Sequence, residues 1–230
     1  MQVVGPHNSA SAAQLKEALA SLETSWKLNW GCSPQAGDHW LANTPRKDAI
    51  EQLQAFQGVP TIEWTRFLET ARAWVDCGWL VFGRRRVHSQ GTDIVGPRHR
   101  DFARRDYWVK VVPNVVQEWR LHIFRGRCIA RGLKTQVEPP HRVMPVRNRA
   151  NGWRMVHDVE PTEELRATAK AAVKAVGYEL GAVDMLVDNS NKIYVLEANR
   201  APGLDDYTLG QYVKAITKFV SHPRNRVVVS

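Results

Sequence analysis

Gly181-Ala-Val-Asp-Met-Leu-Val-Asp188, followed four residues later by Ile193-Tyr-Val-Leu-Glu-Ala-Asn-Arg-Ala-Pro-Gly-Leu204, is the stretch that decides the fold. It reads as two strands joined by the turn Asn189-Ser-Asn-Lys192, because apolar and β-branched residues fill both runs and polar turn formers separate them. Residues two apart on a strand share a face. Glu197 and Asn199 therefore project together, Leu196 and Ala198 project the other way, and Asp184 can face the first pair from the partner strand. Three oxygen-bearing side chains then meet where one or two hard cations can sit, the ligand type with which proteins hold magnesium. The same spacing also fits a hairpin with charged residues on a solvent face. Two features favour the buried reading: the strands are otherwise apolar (Val183, Leu186, Val187, Tyr194, Val195, Leu196), as in a covered sheet, and buried carboxylates need a cation or a partner.

Upstream, residues 107–112, 117–124 and 128–135 read as strands, with Arg125-Gly-Arg127 as a hairpin turn. Glu118, Arg120 and His122 alternate with Trp119, Leu121 and Ile123, so the charged triplet takes one face and the apolar triplet the core face. Such a triplet fits a solvated surface or a site, and His122 fits a base or a structural histidine. Lys110 lies in a valine-rich strand and must meet an anion or snorkel to water. Helices are expected over residues 9–22, over 44–56 with Thr44 as N-cap and Pro45 at the first position, and over 65–77, 162–176 and 210–220. Short strands are expected at 2–5, 27–31 and 79–82. The proline-rich run 138–145 is a loop.

With 230 residues, 43% hydrophobic and 24% charged, the chain has a globular composition. No apolar run has the length of a bilayer span, so no membrane partner is expected. The N-terminus lacks the basic start and apolar core of a secretory signal. Cys32, Cys77 and Cys128 are scattered and odd in number, which points to a reducing cytoplasm. The net charge of +9 is uneven: residues 84–154 hold fifteen Arg and two Lys against five acids, a balance of +12. That segment suits an anionic substrate, nucleotide phosphates or nucleic acid. HExxH, paired CxxC, GxSxG and GxxxxGK[ST] are all absent from the sequence, which argues against zinc, α/β-hydrolase and P-loop chemistry. Nothing in the sequence specifies an oligomeric state.

The closing block Gly181–Leu204 resembles the magnesium motif of ATP-grasp carboxylate–amine ligases. Tyr107-Trp-Val-Lys-Val-Val-Pro113, Glu118-Trp-Arg-Leu-His-Ile-Phe-Arg-Gly126 and Arg84-Arg-Arg-Val-His-Ser-Gln-Gly-Thr-Asp-Ile-Val95 resemble further blocks of that family, in its order. Arg147-Asn148 and Asn151-Gly-Trp153 resemble a piece of the small phage-type and RimK-like members. The resemblance implies an α/β (α+β) ATP-grasp fold, two subdomains clasping ATP. The expected division is an abbreviated N-terminal α/β lobe (1–43), a small subdomain with a phosphate loop (44–112), a large subdomain with the metal site (113–220) and a basic tail (221–230).

It further implies magnesium, with manganese as the alternative, on Asp184, Glu197 and Asn199. Nucleotide contacts fall on Lys110, Val112 and Glu118 and on Arg85, His88, Ser89 and Gly91 of the loop. Arg120, Lys134, Arg147 and Asn148 meet the transferred phosphate and the carboxylate substrate. The implied reaction joins a small-molecule or peptide carboxylate to an amine through an acyl phosphate. The rivals are a basic nucleic-acid-binding module on a degenerate ATP-grasp fold and an ATP-dependent kinase on the same scaffold.

Overall fold

A computed structural model describes residues 2–3, 10–20, 40–41, 48–87, 93–137, 147 and 151–222. Strand β1 (Gln2–Val3) pairs in parallel with β2 (Trp40–Leu41), and α1 (Ala10–Ala20) lies between them in the chain. Helix α2 (Ala49–Ala55) starts at Asp48, whose carboxylate accepts from Ile50 N (2.9 Å) and Glu51 N (3.1 Å). The N-cap of this helix is thus Asp48 rather than Thr44, which lies outside the described residues, as does the expected strand 27–31. The other carboxylate oxygen, Oδ2, accepts from Arg86 Nε (2.6 Å), which ties the helix start to the segment that follows Arg84.

Next come β3 (Trp64–Thr65), α3 (Leu68–Asp76), β4 (Val81–Arg84) and β5 (Tyr107–Lys110), with sheet order β3-β5-β4. The expected helix over 65–77 is shorter, because Trp64 and Thr65 pair with Val109 and Trp108 and Thr65 Oγ1 accepts from Phe67 N (3.1 Å). It ends where Gly78 adopts φ of 85°. There Gly78 N donates to Val75 O and Trp79 N to Trp74 O, both at 2.9 Å, the Schellman geometry that favours glycine. Trp79 and Leu80 consequently precede the strand rather than forming part of it.

The larger sheet contains β6 (Val115–Phe124), β7 (Arg127–Gln136), β8 (Trp153–Val156), β9 (Leu180–Asp188) and β10 (Ile193–Asn199), in the order β10-β9-β6-β7-β8, antiparallel throughout. β8 is an addition to the sequence-based expectation. Asp188 builds the β9–β10 turn by accepting from Ser190 Oγ (2.7 Å), Ser190 N (2.9 Å), Lys192 N (3.0 Å) and Tyr194 OH (3.0 Å). These bonds, the Ser190 hydroxyl foremost, hold its carboxyl down at about 2.

Helix α4 (Glu163–Ala175), N-capped by Thr162, covers one face of this sheet. Ala169 and Ala172 are fully buried, so the helix packs closely on Trp119, Leu121, Val183, Met185 and Val195, with Ile50, Leu53 and Phe56 completing the core. Helix α5 (Asp206–Ser221) and α1 cover part of the opposite face, where Tyr212 and Ile216 meet Leu15, Leu19 and Phe124. α5 begins four residues before the expected 210, because Asp205 and Thr208 form a capping box. A third cluster joins Ala71, Val81, Val95, Phe102 and Trp108 beneath α3. The proline-rich run 138–145 and all but the first two residues of the expected basic tail lie outside the described residues.

Candidate active site

The face of the larger sheet not covered by α4 carries a row of polar groups, and cross-strand register assembles it. Arg120 on β6 stands opposite Asp184 on β9, and Asp184 stands opposite Glu197 on β10. Arg120 Nε lies 2.7 Å from Asp184 Oδ1 and its terminal NH2 2.8 Å from Oδ2, a bidentate pair. Asn199 Nδ2 donates to Glu197 Oε1 (2.8 Å) and to Asp184 Oδ2 (3.2 Å). In the next row Lys134 on β7 forms an ion pair with Glu118 on β6. Arg147 donates to Val115 O (2.8 Å), stacks over Trp153 at 4.8 Å and acts on Glu118 by its charge. Gly132, opposite Arg120, keeps that side clear: a Cβ there would sit 3.0 Å from Met155 Sδ.

A bulge makes this row possible. Strict alternation would put Val195, Glu197 and Asn199 on one face. Val195 pairs with Met185, yet Glu197 pairs with Asp184, so the register slips by one residue at Leu196. Val195 and Ala198 both enter the core, while Glu197 and Asn199 reach the polar face. The expectation that Leu196 shares the core side with Ala198 is thus corrected: Val195 takes that place. Bulges re-aim side chains in this way beside functional sites.

Burial sets the electrostatics. Glu118 has its carboxyl pushed above the usual range by desolvation, with Lys134 pulling it back. Arg120 is held firmly protonated by Asp184. His122, behind Arg120, is 2% exposed and edge-on to Tyr212, with Nδ1 3.1 Å from the hydroxyl. Burial first, and the Arg120 charge second, depress its pKa to about 3. His122 is therefore a neutral structural histidine, the second of its two sequence readings. An unfolded His takes up a proton below about 6.5, whereas this one does not until about 3. Its stabilising contribution is complete above the higher value and is lost as pH falls toward the lower. Denaturant titrations of wild type should show a stability slope of up to about 1.4 kcal/mol per pH unit from this group. The double variant His122→Phe, Tyr212→Phe should lose that component, and an unchanged slope would disprove the assignment.

Asp184, Glu197, Asn199 and Arg120 are in direct contact, with Glu118, Lys134 and Arg147 alongside. Lys110 points elsewhere. Tyr107 and Val109 of its strand enter the main core, so Lys110 shares the α3 side with Trp108. Its ammonium lies 2.5 Å from Glu63 Oε2 and over the Trp74 and Trp79 rings at 4.8 and 4.5 Å. Val112 lies partly buried in the connection between β5 and β6. Arg85 is exposed, and its backbone N donates to Asp93 Oδ2 (2.7 Å). His88, Ser89, Gly91 and Asn148 lie outside the described residues.

Two contributors escaped sequence reasoning. Gln52 clamps β10 from α2: Nε2 donates to Ala198 O (2.7 Å) and Oε1 accepts from Ala198 N (3.1 Å), which fixes the backbone between Glu197 and Asn199. Its signal was a glutamine inside the buried stripe Ala49, Ile50, Leu53, Phe56. Tyr107 is buried within reach of the Glu197 charge, and its hydroxyl pKa is raised chiefly by desolvation.

Two carboxylates and one carboxamide on adjacent strands are the hard oxygen donors that suit magnesium. Among the described residues no three His, Cys, Asp or Glu side chains converge; the Asn199 carboxamide is the third oxygen-bearing group beside Asp184 and Glu197.

No family model matches the sequence, and no curated protein matches it. Its structure is similar to that of the ATP-grasp ligase PsnB complexed with a phosphomimetic variant of its minimal precursor, Mg and ADP (13% identity, 94% of this chain and 97% of that chain, TM-score 0.68). It is also similar to D-alanine–D-alanine ligase from Bacillus anthracis (13% identity, 95% and 92%, TM-score 0.62). A third similar structure is the biotin carboxylase–ATP complex from Campylobacter jejuni (17% identity, 73% and 45%, TM-score 0.55). The chain has the ATP-grasp fold, in its mixed helix and antiparallel-sheet form.

Proposed function

We propose that this protein is an ATP- and magnesium-dependent ligase that joins a carboxylate to an amine. The observation that carries the reading is the Arg120–Asp184–Glu197–Asn199 group, flanked by Glu118–Lys134, on the open face of an ATP-grasp sheet. The γ-phosphoryl group passes from ATP to a carboxylate oxygen, and the bond to ADP breaks. The amine then attacks the acyl carbon, phosphate leaves with its oxygen, and the nitrogen sheds a proton. Magnesium, when bound, neutralises charge on the nucleotide phosphates.

Asp184, Glu197 and Asn199 would hold the metal. The Arg120 fork and the Lys134 ammonium are positioned to offer donors to the phosphoryl oxygens and the acyl oxyanion, which is electrostatic preorganisation. The Trp153-backed Arg147 guanidinium is a candidate for binding the substrate carboxylate.

Several arginines of the basic segment are already engaged within the chain. Arg86 meets Asp48, Arg120 meets Asp184, Arg125 meets Glu179 and Arg131 meets Glu160. Such internal pairing supports a built cleft over an open nucleic-acid face.

The test is ADP release with a panel of carboxylates, amines and precursor-like peptides, with mass analysis of products. Carboxylate-dependent ADP release with an amide product is expected. A stable phosphorylated product without amide would identify a kinase instead. No nucleotide effect at all, together with steeply salt-dependent DNA or RNA binding, would move the assignment to the basic module.

A further inference from the structure

Both carboxylate oxygens of Asp184 are taken by one guanidinium fork. Asn199 turns its amide nitrogen toward the two acids, as it must, since both neighbours are acceptors. Both Asp184 oxygens and Glu197 Oε1 therefore already accept from donors of this chain. A cation and the Arg120 guanidinium are like charges that compete for the same Asp184 oxygens, in a site where Asp184 is only 7% exposed. Asn199 must also rotate its amide by half a turn before its oxygen faces the acids.

Arg120 will leave Asp184 only for an acceptor of comparable charge. It is the more accessible partner, with a quarter of its side chain exposed on the open face. A phosphoryl oxyanion arriving there matches the fork in both geometry and charge.

We propose that Arg120 is an internal counter-cation that keeps a divalent metal off Asp184 until a phosphoryl-type oxyanion draws the arginine away. Metal and anion then bind with positive coupling, and linkage makes the coupling reciprocal. This gating rests on the metal site of the preceding section. It assigns Arg120 a second task, control of when the metal enters, in addition to its contact with the reacting group.

The experiment is Mn2+ binding to the full chain, followed by electron paramagnetic resonance without nucleotide, with sulfate as the phosphoryl stand-in. Arg120→Gln should bind Mn2+ at least about tenfold more tightly than wild type, the loss of a typical allosteric coupling. Arg120→Lys should fall between them, because a single ammonium cannot hold both Asp184 oxygens. Sulfate should tighten Mn2+ binding by wild type and leave Arg120→Gln unchanged. If Arg120→Gln does not fold, Arg120→Lys and the wild-type sulfate response decide. Equal Mn2+ affinity in wild type and the Arg120 variants, with no sulfate effect, overturns the gating while leaving the metal site standing, provided Asp184→Asn still weakens binding. Absence of Mn2+ binding in every protein, with sulfate or with ADP, removes the metal site and the gating with it.

Discussion

Glu197→Ala should lose ATP turnover by roughly 10³-fold or more while the protein melts no lower than wild type. The two halves of this expectation have one source. Arg120 neutralises Asp184 through both of its oxygens. Glu197 adds a second negative charge opposite Asp184 and accepts from the Asn199 amide. Removing that carboxylate relieves repulsion from Asp184 and forfeits attraction to Arg120, two opposed effects of similar kind, and leaves the β9–β10 backbone ladder intact. Function would lose the hard oxygen ligand that the proposed metal site takes from Glu197, which the strand bulge at Leu196 turns to the polar face. Sites that sacrifice stability for activity behave in this way. Turnover close to wild type in Glu197→Ala would remove the metal assignment. A large drop in melting temperature would show that Glu197 is instead a structural member of the polar network.

Arg120→Ala should give the opposite signature, a destabilisation of about 3 kcal/mol in denaturant titration, at the lower end for a broken buried pair because Arg120 retains some exposure. Its removal leaves the Asp184 carboxylate 7% exposed and without its bidentate partner. The cost comes from the stranded charge more than from the lost attraction. Asp184→Asn should be milder, and the double variant Arg120→Ala, Asp184→Asn should recover much of the single-variant loss. The double-mutant cycle should therefore show a coupling of about 1–3 kcal/mol. Additive losses would mean that the two side chains do not depend on each other in solution, against the geometry described above.

The hairpin that carries Asp184, Glu197 and Asn199 was legible because its information is local. Period-2 apolar residues, a polar turn and an Asp that bonds forward into that turn all lie within a few residues of one another. The same holds for α4, whose apolar periodicity matches its buried face, and for the alternating Trp119, Leu121 and Ile123 of β6, which enter the main core. Helix starts were less legible where two capping sequences competed. The Thr44-Pro45 signal precedes by four residues the Asp48 that caps α2, and the Asp205–Thr208 box lies ahead of the first clearly periodic turn of α5.

Other features depend on partners far away in the chain. The two-residue strand β3 exists because β5 offers an edge 43 residues on, and β8 because β7 offers another. The side on which Lys110 emerges was decided by which sheet face α3 covers, and the task of Gln52 by the approach of α2 to β10.

The sequence by itself determined the ATP-grasp resemblance, the order of the main elements and the residue types of the polar row, since these rest on spacing and composition within short segments. Only the tertiary structure decided that Glu197 and Asn199 face Asp184 while Val195 stays in the core. That outcome needs a one-residue slip at Leu196, and a slip has meaning only against a partner strand whose own register is held by β6.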